Sequence, residues 1–305
     1  MYYIVYGIFY VLSFLPFRVL FFISDLLYFP LYYIIGYRRE VVSKNLLIAF
    51  PEKSEKERTS IAKQFYHNLL DSFIEYIKLL TISEKQLKKR CSFNLALISE
   101  QAAKGKNIQL MAGHQFGMEF FNLLLSSEIK QVSFAVMYLP LSNKIFEKII
   151  YKMRVRFGSI LIGATKLRDE KQKLSGKQYA LALIADQSPG NIHSAFWMNF
   201  FNRPVPFLPG AAIRAVRNNT AVIFVNSIRV KRGYYNFELS LLTENAAIST
   251  AEEGTKQYRD FVEKVIRQQP ANYLWTHRRW KHEYRKEFKG RWIETEPARF
   301  SPFPY

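Results

Sequence analysis

His114 and Glu119 are the residues of this chain best placed for acid–base chemistry. An imidazole changes charge near neutral pH, and a neighbouring carboxylate can hold its orientation and stabilise the imidazolium formed when it takes a proton. Both lie in Ile108-Gln-Leu-Met-Ala-Gly-His-Gln-Phe-Gly-Met-Glu119. Positions five apart in one helix are separated by roughly 140° about its axis and do not meet. The pair therefore needs a break: His114 on a loop and Glu119 in the first turn of a helix, where the dipole favours a carboxylate. On spacing alone, the competing reading is a loop histidine beside a solvated glutamate.

The flanking residues supply such a frame. Ile108 to Ala112 reads as a buried strand, Gly113 as a turn and Met118 to Leu125 as the start of an apolar helix. Val132 to Tyr138 reads as a second strand and Leu141 to Phe157 as a helix ending in Arg154 and Arg156 before Gly158. Tyr179 to Ala185, the most apolar strand, runs into Asp186-Gln-Ser-Pro-Gly190. An acidic residue at the carboxyl end of a parallel strand lies where α/β sheets keep their sites, although these residues are also turn formers. Ala211 to Arg217 and Ala251 to Gln268 read as helices, Ala221 to Val230 and Tyr235 to Leu242 as strands. Upstream, Ser54 to Leu80 has helical spacing with Ser54 as cap, and Ser83 to Gly105 reads as further helix. His67 and Asp71, four apart on that helix, read as a surface hydrogen-bonded pair. The expected fold is α/β, with a central, mostly parallel sheet flanked by helices and an N-terminal membrane-associated helical segment.

With 305 residues, 49% of them hydrophobic, the chain suits one catalytic domain and an appendage. Its single cysteine, Cys91, excludes an intramolecular disulfide and suits a reducing compartment. Five scattered histidines show no zinc spacing, so no metal is expected. The net charge of +19 points to anionic partners, but the basic residues are dispersed and no nucleic-acid motif appears, which argues against nucleic acid.

Residues 1–37 consist of three apolar runs broken only by Arg18 and Asp25, rich in the tyrosines that favour a membrane boundary. They are read as a membrane anchor that spans, re-enters or lies at the interface; a buried helical hairpin is the competing reading. No removable signal peptide is expected. Arg38, Arg39 and Lys44 then place residues 38–305, the catalytic domain, in the cytoplasm by the positive-inside tendency.

The G-H-Q-F-G-M-E stretch resembles the H-x4-D/E block of glycerolipid-type acyltransferases, and in particular of the lipid A late acyltransferases. The family's usual form is G-H-x-G-N-W-E, and here Phe116, Gly117 and Met118 stand where Gly, Asn and Trp are common. The resemblance continues in order: N-L and F-P between Arg39 and Pro51, the Tyr138–Pro140–Asn143 and Arg154–Arg156–Gly158 pattern, Asp186-Gln187, the aromatic stretch from Phe196 to Gly210, and Trp275-Thr-His-Arg-Arg-Trp-Lys281. In that aromatic stretch Asn202 takes the place of the usual glycine, as a residue tolerant of positive φ. The cluster reads as core or as the border of an acyl-chain groove.

The resemblance implies a bacterial inner-membrane enzyme, its catalytic domain facing the cytoplasm, that moves a fatty acyl group from acyl carrier protein to a hydroxyl of a lipid A precursor without a cofactor. His114 would be the base and Glu119 its orienting carboxylate. Arg154 or Arg156 would steer phosphate or an oxyanion, Asp186 would hold substrate, and Arg278 and Arg279 would meet headgroups. Acyl carrier protein, the lipid A precursor and an anionic membrane surface are the implied partners. The alternatives are transfer to another membrane lipid (a lysophospholipid, aminolipid or glycolipid) and an inactive lipid-binding membrane protein.

Overall fold

Strand β2 (Ile108–Ala112) is buried at every position because it runs down the middle of the sheet with neighbours on both sides. The computed structural model describes residues 1–166, 171–296 and 298–299. Its seven-stranded sheet has the order β1-β9-β8-β2-β5-β3-β4, formed by β1 (Cys91–Phe93), β2, β3 (Ser133–Tyr138), β4 (Ile160–Gly163), β5 (Tyr179–Ile184), β8 (Ala221–Lys231) and β9 (Tyr234–Thr243). From β8 to β4 neighbouring strands are parallel. β9 returns antiparallel to β8 and pairs in parallel with β1. β6 (Phe196–Phe200) and β7 (Arg203–Phe207) form a separate hairpin.

The helices are α1 (Tyr2–Ser13), α2 (Phe17–Phe29, extended by a π turn over Pro30–Ile35), α3 (Arg39–Ala49), α4 (Glu55–Leu79), α5 (Glu84–Arg90), α6 (Ala96–Ala103), α7 (Met118–Glu128), α8 (Lys144–Arg154), α9 (Gly210–Asn218) and α10 (Ala251–Gln268). Ser54 caps α4 in a reciprocal box with Glu57. Between Ser83 and Gly105 the expected continuous helix is interrupted by β1, which pairs with β9. Local sequence favours helix there, and the open edge of the sheet overrides it.

Phe17, Leu20 and Phe21 bury one side of α2. A polar cluster fixes that helix to the domain: Asp71 of α4, only 2% exposed, accepts from Ser24, Arg229 and Arg232, and Arg232 also grips Asp25. Asp71 is thus no surface partner of His67, whose ring stacks on Tyr28 at 3.7 Å. The opposite side of α1 and α2 leaves Ile4, Ile8, Val11, Phe22, Leu26 and Phe29 exposed. Phe17–Ile35 is the one described helix long and apolar enough to cross a bilayer.

At the β6–β7 turn the left-handed residue is Phe201, at φ +54°, and not Asn202, whose amide instead donates to the Ile48 carbonyl. Phe200 and Phe201 are buried against Trp280 and Phe207 against Phe200, so this aromatic stretch is core. Near the carboxyl end, Lys286–Arg291 forms a short 3-10 helix, and Pro297, Pro302 and Pro304 lie outside the described residues.

Candidate active site

Parallel pairing of β2 with β5 sets Ala112 beside Ile184, so two residues further along each chain His114 and Asp186 leave the sheet side by side. Nδ1 of His114 lies 2.5 Å from Oδ1 of Asp186, and the His114 backbone N–H donates to Oδ2 at 3.1 Å. The Asp186 side chain is fully buried and that of His114 is 27% exposed. One end of the imidazole is therefore fixed in the protein while part of the ring reaches the surface.

Burial alone would push the Asp186 carboxyl up. The charge on His114, its two hydrogen bonds and the Tyr273 hydroxyl outweigh that and bring it down to about 2. An ionised Asp186 accepts from Nδ1–H, which selects the tautomer with Nε2 as the basic nitrogen.

Several contacts hold the two loops in register. The Tyr258 hydroxyl of α10 donates to the Ala112 carbonyl at 2.7 Å and accepts from the Ala185 N–H at 2.9 Å, tying the ends of β2 and β5 together. The Gln115 amide closes onto Ser227 of β8, accepting from its N–H and donating to its carbonyl. Leu274 N–H donates to the His114 carbonyl. Nε2 of His277 accepts from the Ser188 N–H at 2.8 Å, just after Asp186. Burial, Arg279 and the charge of His114 bring the His277 imidazole down to about 4, so it remains a neutral acceptor.

Glu119 sits in the first turn of α7, as its spacing predicts, but its carboxylate does not meet His114. It is gripped by Arg154 at the end of α8, whose Nε lies 2.9 and 3.1 Å from Oε1 and Oε2, with Nη2 2.5 Å from Oε1. The expected pairing of His114 with Glu119 is thus replaced by two pairs, His114–Asp186 and Glu119–Arg154. The physical reason is the sheet register, which puts a carboxylate from another strand nearer to the imidazole than one five residues along the same chain.

The remaining basic residues sort clearly. Arg154 pairs with Glu119, whereas Arg156 donates to the Leu79 and Ile82 carbonyls and braces the end of α4. Asp186 is sealed behind His114 and offers no face to a substrate. Arg278 is exposed beside Glu40. Arg279 is 1% exposed, lies over the Phe207 ring at 4.2 Å and donates to the Pro206 carbonyl, so it presents nothing to a headgroup. Trp275 and Trp280 are buried as well. Asn45 of α3 donates to the Trp275 and His277 carbonyls, which ties the Asn-Leu segment to the W-x-H-R-R-W-K segment. Among the described residues, no three His, Cys, Asp or Glu side chains converge as metal ligands.

The roles of Tyr258, Tyr273 and Gln115 escape a reading of the sequence. Tyr258 occupies the apolar face of an amphipathic helix and looks like a packing residue until its hydroxyl is traced. The partnership of Asp186 with His114 had a usable signal, since both follow apolar strands by two residues.

Residues 1–282 match the family model described as bacterial lipid A biosynthesis acyltransferase. The chain is similar to the lipid A biosynthesis palmitoleoyltransferase of Escherichia coli K12, 26% identical over 247 residues, which cover 80% of this chain and 79% of that protein. It is also similar to the lipid A biosynthesis acyltransferase of Haemophilus influenzae, 24% identical over 280 residues, or 88% and 84% of the two chains.

Proposed function

Because this chain belongs to the bacterial lipid A biosynthesis acyltransferase family, we propose that it carries a fatty acyl group from a carrier-protein thioester to a hydroxyl of a lipid A precursor, with His114 as general base. The observation that carries the assignment is the His114–Asp186 pair at the carboxyl ends of adjacent parallel strands. Nε2 takes the acceptor's proton as its oxygen attacks the thioester carbonyl, and Asp186 balances the imidazolium. The carrier's sulfur leaves as the tetrahedral intermediate collapses, taking up the proton held by His114. No protein nucleophile is required, since the acceptor attacks directly.

Arg154, oriented by Glu119, faces the substrate as a cation and stabilises the oxyanion or a phosphate of the lipid. Glu119 thereby serves catalysis through Arg154. The helix Phe17–Ile35 is apolar enough for a bilayer, and with one side fixed to the domain it turns Phe22, Leu26 and Phe29 outward to meet lipid. We place it in the inner membrane, with the sheet on the cytoplasmic side and an anionic membrane surface and acidic carrier protein as partners of the basic chain. No cofactor takes part.

The test is transfer of radiolabelled acyl chains from acyl carrier protein to a lipid A precursor by purified protein in detergent. His114→Ala should abolish transfer while circular dichroism is unchanged. Turnover on a lysophospholipid but not on the lipid A precursor would redirect the acceptor, and full activity of His114→Ala would end the reading.

A further inference from the structure

We propose that α8 is a second membrane contact, an interfacial helix that seats on an anionic bilayer surface beside α1 and α2; this rests on the membrane reading above. The strand-to-helix connection before α8 carries Leu139 and Leu141, 65% and 45% exposed, and the first turn of the helix adds Phe146, 43% exposed. Exposed Lys144, Lys148 and Lys152 recur every fourth residue along one flank. Large apolar side chains at the start of a helix flanked by lysines suit a lipid interface, where the lysine stems bury and the ammonium groups reach the phosphates.

The patch is continuous with the N-terminal helices. The Phe146 ring packs against Phe9 of α1 with centroids 6.1 Å apart. Lys148 lies 5.2 Å from the Tyr2 ring and Lys152 4.7 Å from the Tyr6 ring, on the tyrosine-rich start of α1. The one acidic residue of α8, Glu147, accepts from the Leu141 N–H, which folds the apolar connection against the helix and occupies its carboxylate. Three clustered, exposed apolar side chains fit a bilayer better than an acidic protein, which the lysines alone would equally attract. Since α8 ends in Arg154, the residue that grips Glu119, seating this helix brings the open side of the site to headgroup level. A lone tether through α2 would leave the domain free to tilt.

Cys91 is buried, so single cysteines introduced elsewhere can be labelled selectively in the full-length protein. Leu141→Cys and, as reference, Phe22→Cys would each carry a bimane probe in vesicles of phosphatidylethanolamine and phosphatidylglycerol with brominated acyl chains. Both probes should be quenched by the brominated lipid and shielded from aqueous iodide. Quenching at position 141, but not at 22, should fall at least twofold when phosphatidylglycerol is replaced by phosphatidylcholine, or when Lys144, Lys148 and Lys152 are changed to Glu. A reference probe in lipid with position 141 still open to iodide overturns the proposal. So does shielding of position 141 only on addition of acyl carrier protein, which would make the patch a protein-docking surface. Failure of both probes to be quenched would remove the membrane reading itself.

Discussion

Gly117 lies directly under the ring of Tyr235: a Cβ at this position would fall 2.6 Å from Cε1 and 2.8 Å from Cγ of the ring. Its φ is +88°, a left-handed conformation that a glycine adopts without penalty. This residue is the N-cap of α7, so the first turn bearing Glu119 depends on the missing side chain. The usual family glycine stands one position earlier, where this chain has Phe116, buried and stacked on Phe65.

Gly117→Ala is therefore expected to destabilise the protein well beyond the ~1–2 kcal/mol of a left-handed non-glycine residue, because Tyr235 must also move. At roughly 2–4 °C per kcal/mol for a chain of this size, Tm should drop by at least about 4 °C. Thermal unfolding followed by tryptophan fluorescence checks this. An unchanged Tm would mean that Tyr235 yields freely.

Removing the Tyr258 hydroxyl leaves the Ala112 carbonyl and the Ala185 N–H without the partner that joins their strands. Tyr258→Phe keeps the ring in the core, so its cost is about 1–3 kcal/mol for buried polar groups left unpaired. The expected kinetic signature is a lower kcat at nearly constant KM, since the hydroxyl positions the loops of His114 and Asp186 without touching substrate. Steady-state kinetics on both substrates reads it.

His277 makes a pH prediction with a definite sign. Burial and the nearby cations hold its imidazole at about 4 when folded, below its ordinary 6.5. As pH falls below 6.5 the unfolded chain takes up the proton first. The contribution of His277 is thus complete above pH 6.5 and is lost progressively down to pH 4. At pH 5.5 the loss is on the order of 1 kcal/mol. His277→Gln retains an acceptor for Ser188 but no titration, so its Tm should fall less than that of the wild type between pH 7.5 and 5.5. Parallel slopes would show that another group carries the effect.

Elements with strong periodicity were legible in the sequence. α4 and its Ser54 cap, α10, and the strands before His114 and Asp186 all follow from patterning and capping chemistry. What local pattern could not supply was pairing across the sheet. β1 is three residues long and exists only because β9 offers an edge. The left-handed turn residue is a phenylalanine because the core takes up its ring, while the asparagine after it bonds elsewhere. The same limit governed the site: a carboxylate five residues from the histidine was visible along the chain, but the one that meets it arrives from a strand some seventy positions later. The paired arginines 278 and 279 look alike in sequence, and only packing separates an exposed cation from a buried one.

Asp186→Asn and Glu119→Gln together decide which carboxylate serves the imidazole. Asp186 holds Nδ1 and stays ionised far below neutral pH, so its replacement withdraws both the tautomer and the charge that supports the imidazolium. Transfer should fall about 10²- to 10⁴-fold, the range of a lost acid–base contribution, and the acid limb of kcat/KM should move to lower pH. Glu119→Gln leaves that limb where it is. Its cost falls on Arg154, left without a countercharge in a pair whose side chains are 12% and 23% exposed. That costs roughly 2 kcal/mol of stability, less than the ~3–5 kcal/mol of breaking a fully buried pair, together with a loss of oxyanion or phosphate stabilisation. If instead the acid limb shifted in Glu119→Gln and held in Asp186→Asn, the imidazole would be answering to Glu119 during turnover, and the pairing seen here would have to rearrange when substrate binds.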